Sequence, residues 1–139
     1  MSDDEIPTPS LIREARGAYG LAIRAALSRI GLNDLPRNSA FVLGAMDTFG
    51  MTFDDVIRQR RKSLEQSRTI EALFKCGCLE TKDGVTALTA RGHEAAKACA
   101  EARESLDAEV VARIGKDGFA TMRSGLVALI DWKDHTERQ

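Results

Sequence analysis

Aromatic side chains are scarce in this chain: five Phe, one Tyr and one Trp among 139 residues, 5% of the total. Its core must therefore be built mainly from aliphatic groups, drawn from a 43% apolar fraction. Cysteine numbers three, an odd count that excludes a disulfide scaffold. Histidine numbers two, and neither His93 nor His135 stands at a ligand spacing, so no metal site is expected. Neither sign of charge dominates: 20 basic side chains meet 21 acidic ones for a net −1, which excludes a uniformly basic coat. Paired carboxylates with a base, a Ser/His/Asp or Cys/His set and a phosphate loop are all missing, so neither an enzyme nor a cofactor is expected. The apolar residues are interrupted by charge every few positions, and the N-terminus reads Met-Ser-Asp-Asp-Glu. Neither a membrane span nor a signal peptide is therefore expected, which implies a cytoplasmic chain. A single domain of this length buries roughly two thirds of its unfolded surface and needs no covalent staple.

What is present is helical period. Leu11, Ala15, Tyr19, Ala22, Ile23, Ala26, Leu27 and Ile30 form one stripe, opened by Thr8-Pro9 and closed by Gly31. A second helix is expected from near Pro36, carrying Phe41, Val42, Ala45, Met46 and Phe49 up to Gly50. Thr52-Phe53-Asp54-Asp55 then offers a cap and first-turn acids for a short third helix ending around Arg60 to Lys62. Ser63-Leu64-Glu65-Gln66 reads as a capping box opening a fourth, with Ile70, Leu73 and Phe74 inward and Gly77 at its end. After Gly77 the period becomes two: Cys78 to Thr81 and Val85 to Leu88 flank Lys82-Asp83-Gly84, whose Asp-Gly suits a tight hairpin. Thr89 caps a long helix to Gly115, and a last helix carries Phe119, Met122, Leu126, Leu129 and Ile130.

That order describes a mostly α fold: a winged helix-turn-helix with a short two-stranded wing, flanked by N- and C-terminal dimerisation helices. The winged part spans about 35–92 and the dimerisation helices 9–30 and 93–131, all within one domain, 1–139. The terminal stripes are too extensive for a small winged domain to cover, so a homodimer is expected. Its two-fold axis would set two recognition helices about one DNA turn apart.

The stretch Ser67-Arg68-Thr69-Ile70-Glu71-Ala72-Leu73-Phe74-Lys75-Cys76-Gly77-Cys78-Leu79-Glu80 resembles the end of the recognition helix entering the wing in the multiple-antibiotic-resistance regulator (MarR) family of bacterial transcription factors. Ala87-Leu88-Thr89-Ala90-Arg91-Gly92 is similar to that family's exit from the wing. The resemblance runs from about Leu11 to Ile130. It implies dimeric binding to double-stranded operator DNA, repression by promoter occupancy, and relief by a small-molecule effector or an oxidant. The family's longer wing carries an arginine for the minor groove; here Lys82 is the cation beside a clipped turn.

Charge is distributed accordingly. Thr52 to Lys82 holds seven basic residues against five acidic, while Asp83 to Gln139 holds eight against ten. The excess positive charge thus falls on the expected reading head, where it can displace counterions from phosphate. Arg58, Arg60, Arg61, Lys62 and Lys82 are the expected phosphate contacts. Gln66, Ser67, Arg68 and Thr69, early in the recognition helix, are the expected base-edge readers: glutamine pairs with adenine, arginine with guanine, and a threonine methyl meets thymine. Arg16, Tyr19, Phe49 and Trp132 are the candidates for an effector cavity. Cys76 and Cys78, as a bare C-x-C pair, read as small structural thiols at a helix end. The clipped wing, Glu65 and the net negative charge also allow a different reading, a winged-helix protein-interaction module that has lost DNA binding.

Overall fold

Pro9 stands in the first turn of α1 (Thr8–Arg29), where its missing N–H leaves no bond unmade. A short 3₁₀ turn, Asp3–Glu5, precedes it. The computed structural model describes residues 2–59 and 64–139, and the chain divides into two units, Met1–Arg103 and Glu104–Gln139.

In the first unit, α1 ends in a backbone wrap in which the Leu32 N–H reaches the Leu27 carbonyl at 2.9 Å. Ala26, Leu27 and Leu32 enter the core there. Helix α2 (Ser39–Asp47) begins three residues beyond Pro36, whose carbonyl accepts the Ser39 N–H at 3.0 Å. Val42, Leu43 and Ala45 on α2 are buried at the centre. The helix stops at Asp47 because the Met51 N–H turns back to the Ala45 carbonyl at 3.0 Å. Phe49, expected to extend the stripe, is therefore left outside the helix and 78% exposed.

Helix α3 (Phe53–Gln59) starts at Thr52, whose Oγ1 accepts the Asp55 N–H at 3.1 Å, the cap expected from sequence. Val56 anchors it in the core, and Phe53 meets Phe74 edge-on with ring centroids 6.4 Å apart. Helix α4 (Leu64–Lys75) follows. The expected cap Ser63 lies outside the described residues.

Strands β1 (Leu79–Lys82) and β2 (Val85–Leu88) pair antiparallel, Leu79 opposite Leu88 and Lys82 opposite Val85. Asp83 and Gly84 take φ of 53° and 79°, the two positive angles that a two-residue hairpin demands. The hydroxyls of Thr81 and Thr86 bond across the ladder at 2.8 Å.

Helix α5 (Ala90–Glu137) begins in a clamp that explains the Leu-Thr-x-x-Gly stretch. The Thr89 Oγ1 accepts the Gly92 N–H at 3.0 Å and donates to the Gly77 carbonyl, while the Thr89 N–H bonds the Cys78 carbonyl at 3.0 Å. Gly92 sits so close to Cys78 that a Cβ would overlap its carbonyl oxygen. Arg91 donates to the Ile30 carbonyl at the end of α1, and the His93 ring meets the Asp47 carboxylate at 2.5 Å. The first turn of α5 is thereby tied to α1, α2 and the turn between α4 and β1. Ala95, Ala96 and Cys99 carry it into the core beside Leu73, Cys78 and Leu79.

The second unit contains the rest of α5. Gly115 alone leaves helical geometry there (φ 81°, ψ 165°), so the helix breaks at 115, as expected, and resumes through Gly118. Met122, Leu126, Leu129 and Ile130 recur at helical spacing and are 39–52% exposed. The guanidinium of Arg123 lies 6.0 Å from the centre of the Phe119 ring.

Candidate nucleic-acid interface

Helix α4 has two chemically distinct faces. Gln66, Thr69 and Leu73 fall at the i, i+3, i+7 spacing of one stripe and are buried, at 7%, 0% and 0% exposure. Ser67, Arg68, Glu71 and Lys75 stand on the opposite face, exposed. Two of the four residues expected at base edges are thus corrected: Gln66 and Thr69 turn into the core. The face that points outward carries two cations, one hydroxyl and one carboxylate.

Around that face the other candidates are dispersed. Arg58, in the last turn of α3, keeps 79% of its side chain exposed and lies 4.0 Å from Asp55. An exposed pair at that distance restrains the arginine weakly and leaves it able to exchange its partner for phosphate. Lys82 is exposed at the tip end of β1, one residue from the hairpin turn. Arg60, Arg61 and Lys62 lie outside the described residues. Among described residues, the cations of this region are therefore Arg58, Arg68, Lys75 and Lys82. Lys75, at the end of α4, was missed as a site residue, although its seven-residue separation from Arg68 places both on one face.

The junction of helix and wing holds two thiols. Cys76 and Cys78 bring their Sγ atoms within 3.2 Å, and the Cys76 thiol also lies 3.4 Å from the Leu73 carbonyl. Burial, with Cys76 alongside, pushes the Cys78 thiol up to about 12. Burial likewise raises Cys99.

A cleft of about 490 Å³ opens elsewhere in the first unit, between α1 and residues 32–41. Four arginines, Arg13, Arg16, Arg24 and Arg37, are in its lining against one carboxylate, Asp34, with Tyr19 among them. Ser39, also in the lining, is 1% exposed, and its hydroxyl has no hydrogen-bond partner among the described residues. Two of the four residues expected at an effector cavity, Arg16 and Tyr19, are therefore brought together. Phe49 is not in the lining, and Trp132 belongs to the second unit, 69% exposed. Phe49 failed because α2 ends before it. Arg13, Arg24 and Arg37 are not legible beside Arg16 because they are spread over α1 and the loop after it, with no local motif to join them.

Among the described residues no group of three or more His, Cys, Asp and Glu side chains is placed to hold a metal ion. No described helix is long and apolar enough to cross a membrane.

No family model matches the chain, and no curated protein matches it in sequence. Solved structures do. The MarR family protein Rv2887 of Mycobacterium tuberculosis, in complex with DNA, superposes with a TM-score of 0.61 at 22% identity, covering 90% of this chain and 98% of that one. The same protein with salicylic acid gives 0.59 at 22% identity over 92% and 99% of the two chains. With p-aminosalicylic acid it gives 0.59 at 23% over 89% and 98%. The likeness extends over the whole element order and establishes a winged-helix fold of the MarR type.

Proposed function

We propose that this chain is a DNA-binding transcription regulator acting as a homodimer, with α4 as the helix that enters the major groove. The observation that carries the reading is the division of α4: its inner stripe of Gln66, Thr69 and Leu73 is consumed by the core, while Ser67, Arg68 and Lys75 face outward. A reading helix needs one face fixed by packing and the other free for the groove. Arg68 is then the guanine reader, and Arg58, Lys75 and Lys82 bind phosphate. Arg60, Arg61 and Lys62, which precede α4 in the sequence, add to that phosphate set. The fold likeness to a protein crystallised with DNA agrees with this reading.

The dimer rests on apolar surface. Leu11 and Leu21 on α1 are 44% and 66% exposed, and Val127, Leu129 and Ile130 on α5 are 50–52% exposed. Large side chains repeated along helices at such exposure are ordinarily covered by another subunit. The dimer acts as a repressor by occupying a promoter, and a small-molecule effector shifts its equilibrium away from the DNA-bound arrangement. The arginine-lined cleft suits a small anion: four guanidinium groups supply charge, and the buried Ser39 hydroxyl supplies an unused hydrogen-bonding group. Salicylic acid and p-aminosalicylic acid, bound in structures of the neighbour, are anions of that class.

Selection of bound fragments from sheared genomic DNA tests the main reading. Enrichment of a site with two inverted half-sites about one helical turn apart is expected. A confirmed dimer that enriches no fragment at low salt would instead make the chain a winged-helix interaction module.

A further inference from the structure

The thiol pair at the end of α4 has a geometry that its role as a helix terminus does not require. Cys76 is half-buried and Cys78 fully buried, yet their sulfurs lie 3.2 Å apart. Gly77, between them, is exposed, and a Cβ built there meets nothing within 4 Å. The turn that joins the two sulfurs is thus open to solvent at Gly77, and Cys76 is the partly exposed member of the pair. We propose that Cys76-Gly77-Cys78 is a chelating site for trivalent arsenicals, the two thiols closing a ring through one arsenic atom.

Donor number and proton balance select this ligand class. A structural zinc ion takes four ligands, deprotonated where they are thiols, and no third His, Cys, Asp or Glu joins the pair among the described residues. The Cys78 thiol, held protonated by burial, also resists the proton loss that a divalent metal demands. A trivalent arsenical bearing two hydroxyls needs only two thiols and brings its own proton acceptors. Each sulfur forms one arsenic–sulfur bond, each arsenic–oxygen bond breaks, and each thiol proton departs with a hydroxide as water. Arsenic remains trivalent, so neither oxidant nor reductant is required. The half-buried Cys76 makes the first bond; Cys78, already in contact, closes the ring.

Closing the ring acts on the junction that places the wing. The Cys78 carbonyl accepts the Thr89 N–H and sits against Gly92, so a change in the 76–78 turn reaches the start of α5. On the DNA-binding reading above, occupancy weakens operator binding; the chelation itself does not depend on that reading.

Phenylarsine oxide is the probe, applied to the reduced full-length protein and followed by intact mass and peptide mapping. The tryptic peptide 76–82 contains Cys76 and Cys78 but not Cys99, so the adduct can be assigned directly. One phenylarsenic group is expected on that peptide, removable by a dithiol such as dimercaptopropanol and retained against glutathione. Cys76→Ser should lower the apparent affinity about 100-fold or more, as a chelate becomes a single bond. Cys99→Ser should leave it unchanged. The dithiol-against-glutathione comparison uses the wild-type protein and so decides the matter even if a variant misfolds. An adduct on Cys99, an adduct removed equally well by glutathione, or no adduct would overturn the proposal. Chelation without any loss of DNA binding would sustain the site and remove only its regulatory consequence.

Discussion

Gly92 shows how one absent carbon can organise a junction. Its backbone approaches the Cys78 carbonyl so closely that alanine would force the turn before β1 and the start of α5 apart. Overpacking of this kind costs about 1–3 kcal/mol. Gly92→Ala should therefore lower the urea midpoint, whereas Gly17→Ala, with nothing within 4 Å of its Cβ, should leave it unchanged or raise it. Cys78 gives a prediction in pH. Its thiol is raised from about 9 to about 12 by burial and by Cys76, so above pH 9 the unfolded chain releases a proton that the folded chain retains. Protons then favour the folded state, and stability falls as pH rises from about 9 towards 12, by at most about 1.4 kcal/mol per pH unit from this group. Cys99 is raised as well and adds in the same direction. Urea melts across that range should show the decline, with a shallower slope in Cys78→Ala. An unchanged slope would remove Cys78 as its source.

At the scale of elements, legibility followed the range of the forces involved. The Asp83-Gly84 hairpin was readable because a two-residue turn needs positive φ at both positions, and few residue pairs supply it. The Thr52 cap and the start of α1 were readable for the same local reason. The outward face of α4 is legible only in part. Its inner stripe is legible at Ile70 and Leu73, yet Gln66 and Thr69, on that same stripe, read as groove-facing because they are polar and early in the helix. Each residue turns a helix by about 100°, and the partner across the core, not polarity, decides which side is buried. The clamp of Arg91 and His93 onto Ile30 and Asp47 was invisible because it joins residues far apart in sequence. The corrected face makes a sharper forecast. Arg68→Ala should cost about 1–3 kcal/mol of operator affinity and flatten base preference at one position per half-site. Lys75→Ala should weaken binding evenly across sequences. Equal effects of the two in a base-by-base competition assay would deny Arg68 its reading role.

For the whole molecule, the sequence conveyed the order of elements and the resemblance to MarR proteins, and the structural neighbours bear out the fold. The net charge of −1 first speaks against a polyanionic partner, but it is a cancellation. The segment from Thr52 to Lys82 carries the positive excess, and acidic residues outweigh basic ones after it. A chain with so few spare cations should bind DNA as a dimer and in a salt-sensitive way. The most direct test of this account is fluorescence anisotropy of a labelled duplex from upstream of the chain's own gene, titrated over a range of salt beside a scrambled duplex. With at least the three phosphate contacts per subunit of Arg58, Lys75 and Lys82, a log–log slope of roughly −5 or steeper and clear preference for the upstream sequence are predicted. Equal, weak binding to both duplexes at low salt by a confirmed dimer would contradict it.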